Sequence, residues 1–149
     1  MAVVQEQNKR VRIIVADDNK EMRDTVMGLL ERDFDIVSTV GDGRALVEEV
    51  EALDPEIGIV DISMPLMNGI MAAGKIKSNG SKMKVIFLTV NEDRDFVRAA
   101  FEVGASAYVV KRQMASDLLK ALEEVIAGRR FISGGCDISD SLTAELPSF

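Results

Sequence analysis

The chain has 149 residues, 47% of them apolar and 29% charged, and a formal charge of −7. That length suits one domain with a proper core, and the acidic balance argues against a face that grips a nucleic-acid backbone. Histidine is absent and Cys136 is the single cysteine, which excludes Ser-His-Asp chemistry, a phosphohistidine carrier, an internal disulfide and a cysteine zinc cage.

Residues 1–10 are polar and lack the apolar stretch of a secretion signal. No apolar run approaches the roughly 20 residues that cross a bilayer, so no membrane contact and a cytoplasmic address are expected. Residues 11–16 (VRIIVA) form a short apolar strand ending in Asp17, Asp18 and Asn19. Met22, Val26, Leu29 and Leu30 follow at helical spacing. Residues 34–40 alternate apolar and polar positions, the pattern of a half-exposed edge strand. Leu46, Val47, Val50 and Leu53 mark a second helix that Pro55 prevents from continuing. Residues 57–60 (IGIV) make a strand stopping at Asp61, and a third helix is expected over 70–77, entered through Pro65 and Asn68.

Residues 85–88 (VIFL) form a fully apolar strand ending at Thr89. Asn91 is expected to cap the next helix, which carries Phe96, Val97, Ala100 and Phe101 and stops at Gly104. Residues 107–110 form the last strand, ending at Lys111. Ser116 is expected to cap a helix bearing Leu118, Leu119, Leu122, Val125 and Ile126, closed by Gly128. The strict alternation gives a (βα)₅ α/β fold, a doubly wound, parallel five-stranded sheet with helices on both faces. The domain is expected over 11–130, between a polar extension at 1–10 and a linker-like tail at 131–149 rich in Gly, Ser and Asp.

Asp17 and Asp18, Asp61, Thr89 and Lys111 each stand directly after a different apolar strand run. In an open parallel sheet ligands bind at the carboxyl ends of the strands, beside the point where strand order reverses. Singly, each residue has a bland reading: a helix cap, a hydrogen-bonded hydroxyl, a solvated charge. Jointly they describe one shallow pocket. Three carboxylates brought together repel one another and need a cation or must stay partly protonated, and an all-oxygen set favours a hard ion, Mg²⁺ above others. Lys111 would supply a point charge, Thr89 a hydroxyl donor and Asp61 a nucleophilic oxygen. Positioning and charge neutralisation are most of what phosphoryl transfer requires.

At these residues the chain resembles the receiver domains of two-component response regulators, a CheY-like, flavodoxin-like family. The matching pieces are the acidic pair in VADDN, the run from Asp61 through Met64-Pro65 to Gly69, Thr89, and Lys111 after Tyr108-Val109-Val110. The resemblance covers 11 to about 130. It implies strand order 2-1-3-4-5 and a phospho-acceptor signalling role, not an enzyme. Asp61 would accept a phosphoryl group from a sensor histidine kinase. Asp18, Asp61 and the Ser63 backbone carbonyl would hold Mg²⁺ directly, with Asp17 acting through water. Thr89 and Tyr108 would be the switch pair, Tyr108 turning inward as Thr89 moves to the phosphoryl group. A phosphorylation-dependent homodimer is also implied.

Two departures stand out. Val90 replaces the small residue usual after the switch threonine, which would narrow access to Asp61. Arg112 replaces the proline usual after the lysine, so a cis bond there is not expected. The Gly-Arg-Arg-Phe-Ile-Ser run resembles the NarL/FixJ subfamily, in which a linker leads to a LuxR-type DNA-binding domain. Control of transcription through such a domain outside these 149 residues is therefore expected, with no direct nucleic-acid contact by this one. A stand-alone receiver acting through protein contacts is the alternative.

Three rivals fit less well. A haloacid-dehalogenase-like Mg-dependent phosphatase opens a D-x-D motif after its first strand, where this chain has Asp17-Asp18-Asn19, and it carries a cap domain. A flavodoxin-like flavin binder must cradle a phosphate in the first loop, which Asp-Asp-Asn-Lys-Glu would repel. A binding module that has lost phosphorylation should have lost at least one of the five site residues.

Overall fold

A computed structural model of the chain describes residues 9–134. In chain order these form β1 (Arg12–Ala16), α1 (Lys20–Leu30), β2 (Asp35–Val40), α2 (Gly43–Leu53), β3 (Ile57–Val60), α3 (Gly69–Ser78), β4 (Lys84–Thr89), α4 (Arg94–Glu102), β5 (Ala107–Val110), a 3₁₀ turn (Lys111–Gln113), α5 (Met114–Ile126) and β6 (Phe131–Ile132). The sheet is parallel in order β2-β1-β3-β4-β5-β6. The expected order 2-1-3-4-5 holds, and a sixth strand extends it.

Side chains alternate across a strand, so each strand feeds two cores. Ile13, Val15, Ile57, Ile59, Ile86, Leu88 and Val109 pack with Val26 and Leu30 of α1 and with Leu118, Leu122 and Val125 of α5. Ile14, Ala16, Val60, Phe87, Tyr108 and Val110 face the other way, onto α2, α3 and α4 through Leu46, Val50, Ala72, Ile76, Val97 and Phe101. At about 1.5–3 kcal/mol for each large side chain removed from water, these two layers hold the strand ends in register. β2 is an edge strand, mostly half-exposed, as its alternating pattern predicts.

Three local expectations are corrected. Asp93, not Asn91, caps α4, its carboxylate accepting the Asp95 N–H at 2.8 Å. Ser116 does not cap α5: that helix begins at Met114 as a continuation of the 3₁₀ turn, and the Ser116 hydroxyl donates to the Gln113 carbonyl. Phe131 and Ile132, assigned from sequence to the tail, pair with Ala107 and Tyr108 of β5. Ser133 is buried beyond them, its Oγ accepting the Val110 N–H at 3.1 Å and its N–H reaching the Tyr108 carbonyl at 2.9 Å. Residues 1–8 and 135–149, most of the expected extension and tail, lie outside the described residues.

Candidate phosphoryl-acceptor site

The site forms where the winding of the sheet reverses. β1 lies between β2 and β3, so successive connections leave it in opposite directions and open a crevice at the carboxyl ends of β1 and β3. Ala16 pairs with Val60, which sets the residues that follow, Asp17 and Asp61, side by side. The Asp61 N–H donates to the Ala16 carbonyl at 2.9 Å, and the Asp17 N–H to the Val40 carbonyl at 3.0 Å. Carboxylate oxygens of Asp17, Asp18 and Asp61 lie within 4.8 Å of one another. Asp17 and Asp61 are buried, while Asp18 opens to solvent.

Lys111 comes from the far side, directly after β5, and reaches across to both buried acids. Its Nζ lies 2.7 Å from Asp17 Oδ2 and 3.0 Å from Asp61 Oδ2. Asp17 Oδ1 accepts the Asn19 N–H at 2.9 Å, so both its oxygens are engaged. Burial pushes the Asp61 carboxyl above its ordinary value; the hydrogen bond and charge of Lys111 pull it down, and the nearby Asp17 charge pushes it up again. Burial alone would lower the Lys111 ammonium, but hydrogen bonds to Asp17 and Asp61 outweigh that and raise it, so the amine stays charged.

The loop from Asp61 to α3 is held tightly. The Gly69 N–H donates to the Ile62 carbonyl at 2.8 Å, and a Cβ at position 69 would collide with the Asp61 carbonyl oxygen. That contact explains why Gly69 belongs to the motif. Leu66 turns through φ 67° and is exposed; Ser63 is exposed in the same loop, two residues past Asp61. Asn68 caps α3 by accepting the Met71 N–H at 2.8 Å.

Thr89 closes β4 and is fully buried, its Cα paired with Val110 just before Lys111. Thr89 Oγ1 accepts from the Asn91 N–H at 3.3 Å and from Asn91 Nδ2 at 3.2 Å. The Tyr108 hydroxyl, also wholly buried, donates to the Asn91 carbonyl at 2.8 Å. Tyr108 thus already points inward. Asn91 was missed from sequence as a site residue: it joins Thr89 to Tyr108. Val90, between Thr89 and Asn91, is 69% exposed. Arg112 follows a trans bond, and its guanidinium grips Glu92 through two hydrogen bonds, Nε to Oε2 at 3.0 Å and Nη2 to Oε1 at 2.6 Å. No sequence signal marks that pair, which spans 20 residues.

A groove of about 730 Å³ lies at the opposite end of the strands, lined by Ile76, Lys77, Lys84, Val103, Ser106 and Arg129 among others. Among the described residues no carboxylate lines it. Its cations sit near the C-terminal ends of α3 and α5, where they offset the helix dipoles.

Three carboxylates, an ammonium and a buried hydroxyl thus gather at the switch point of a doubly wound parallel sheet. The response regulator receiver domain model matches residues 13–123, and the chain belongs to that family. It is 32% identical over 138 residues to the transcriptional regulatory protein LnrK of Bacillus subtilis, covering 91% of this chain and 60% of LnrK. With the nitrate/nitrite response regulator protein NarL of Escherichia coli K12 it shares 30% over 123 residues, 81% of this chain and 57% of NarL. The chain therefore spans about three fifths of these curated relatives. Among solved structures, a LuxR-family two-component response regulator from Aurantimonas sp. SI85-9A1 superposes with a TM-score of 0.79 at 27% identity, covering 92% of this chain and 95% of that one. The isolated receiver domain of RcsB from Salmonella enterica serovar Typhimurium, solved with the phosphomimetic BeF₃⁻, gives 0.77 at 26%, covering 93% and 100%. Family membership sets the phosphatase and flavin readings aside. Among the described residues no helix is long and apolar enough to cross a membrane.

Proposed function

We propose that Asp61 accepts a phosphoryl group from the phosphohistidine of a sensor kinase. The observation that carries this is the Lys111 ammonium bridging Asp17 and Asp61 beside the exposed Asp18. An Asp61 oxygen attacks phosphorus, the P–N bond breaks, and the leaving imidazole keeps the electron pair and takes a proton from solvent. The product is an acyl phosphate on Asp61. Lys111 would hold one phosphoryl oxygen. Thr89 Oγ1 uses its lone pairs toward Asn91, which leaves its O–H to donate to another.

Three carboxylates against one ammonium leave two negative charges uncompensated, and every donor is an oxygen. This donor set fits Mg²⁺, held by Asp18, Asp61 and the Ser63 carbonyl, with Asp17 reaching it through water. The ion would neutralise the cluster and clamp the incoming phosphoryl oxygens.

Thr89 and Tyr108 would serve as the switch pair, coupled through Asn91. New charge at Asp61 that draws the Thr89 hydroxyl away disturbs the residue whose carbonyl holds Tyr108. The output would be control of transcription, in keeping with relatives described as transcriptional regulatory proteins and LuxR-family regulators. A histidine kinase partner, a homodimer formed on phosphorylation and a cytoplasmic location belong to the same reading. RcsB has been solved as two dimers bound to two parallel DNAs.

Transfer from a radiolabelled kinase tests the assignment. Asp61→Asn should abolish labelling. Undiminished, hydroxylamine-resistant label on that variant would place the acceptor elsewhere.

A further inference from the structure

The loop between β4 and α4 is tied down twice. Inside, Asn91 holds Thr89 through two contacts and receives the Tyr108 hydroxyl at 2.8 Å. Outside, the next residue, Glu92, is clamped by both arms of the Arg112 guanidinium at 3.0 and 2.6 Å. Arg112 belongs to the 3₁₀ turn that begins with Lys111, so the clamp joins the loop bearing Asn91 to the turn bearing the site's ammonium. The guanidinium holds the Glu92 carboxyl below its ordinary pKa, so the pair stays charged across the neutral range.

A single exposed ion pair contributes little to global stability, but a two-pronged one between two loops fixes relative position. The Asn91 carbonyl lies one residue before this anchor. Displacing Glu92 therefore displaces the acceptor of the Tyr108 hydroxyl and the donors to Thr89. We infer that Glu92 and Arg112 form a latch that keeps the Asn91 bridge closed, and that releasing it loosens Tyr108 and frees Thr89. Arg112 and Glu92 are positioning residues here, acting through Asn91. The latch itself stands on this geometry; its effect on phosphoryl transfer rests on the reading of Asp61 as the acceptor.

The chain offers its own probe, since Tyr108 is the only tyrosine and tryptophan is absent. Acrylamide quenching of tyrosine fluorescence, with no phosphodonor present, reports on the Tyr108 site alone. Glu92→Gln and Arg112→Gln should each raise the quenching constant about threefold, and the double swap Glu92→Arg with Arg112→Glu should restore it. In the unmodified protein, molar NaCl should raise quenching toward the single variants' value, because exposed pairs are screened. That salt titration stands even if a variant folds poorly. Acetyl-phosphate labelling of Asp61 should be about threefold faster in the single variants, since Thr89 is released from Asn91 more often. Unchanged quenching in the variants and in salt would overturn the latch. Altered quenching with unaltered labelling would overturn its control of the site. Absence of any label on Asp61 in the unmodified protein, with quenching altered as expected, would overturn the acceptor reading and leave the latch standing.

Discussion

Lys111 Nζ sits nearer to Asp17 Oδ2, at 2.7 Å, than to Asp61 Oδ2, at 3.0 Å. Its side chain is 13% exposed and those of the two acids 4% and 7%, so this bridge keeps two nearly buried negative charges apart from bulk water. The ammonium is thus a structural counter-ion, in addition to the role proposed for it toward an incoming phosphoryl oxygen.

Lys111→Met removes that counter-ion and leaves both acids facing each other. Losing one member of a largely buried charge set costs about 2–4 kcal/mol. Urea unfolding in EDTA should show this loss, and millimolar Mg²⁺ should recover much of it by binding the acids. An unchanged midpoint in EDTA would show that Lys111 does not hold the cluster together.

Asp61 carries a pH signature. Its carboxyl is raised in the folded protein, first by burial, above the 3.8 of the free group. The folded state therefore binds more protons than the unfolded state between those two values, and stability falls as pH rises through that window. Asp61→Asn cannot ionise and escapes the loss. In EDTA the variant should match the unmodified protein below the range of the free carboxyl, then gain on it as pH rises through the raised value and keep that gain at pH 7. Mg²⁺ should shrink the gap at pH 7 by favouring the ionised acid. A variant less stable than the parent at pH 7 in EDTA would contradict the argument.

Val90 lies on the same loop as Asn91, directly after Thr89, and 69% of it faces solvent. If its bulk limits approach to Asp61, Val90→Ala should speed acetyl-phosphate labelling by about threefold, which is less than about 1 kcal/mol of barrier. Labelling from a kinase, which positions its own phosphoryl group, should change less. Equal acetyl-phosphate rates for the two proteins would remove access as the role of Val90.

Most of this architecture is legible in the sequence, because strand residues such as Ile13 to Ala16 must satisfy two cores at once and read as unbroken apolar runs. Asp17, Asp61, Thr89 and Lys111 were legible for the same reason, as polar residues placed where those runs stop. What stayed hidden depends on contacts between distant segments. Asn91 and Asp93 are nearly equal as helix caps, and the choice fell to Asp93 because Asn91 is engaged by Thr89 and Tyr108. The Glu92–Arg112 clamp joins loops that only the folded sheet brings together. Phe131 and Ile132 are too short a run to announce a strand, and they become one because β5 offers open backbone groups beside them.

That last pairing bears on what the border of the sheet offers to other molecules. β5, Ala-Tyr-Val-Val, is buried and apolar, and an uncovered strand of that kind invites another molecule's backbone to add itself. The Phe131 and Ser133 N–H groups and the Ser133 hydroxyl occupy the positions where such an intruder would bond. Trimming the chain at Arg130 would expose this border and should make the protein self-associate more with rising concentration than the untrimmed chain, visible in light scattering; equal scattering from the two would show that the border needs no guard.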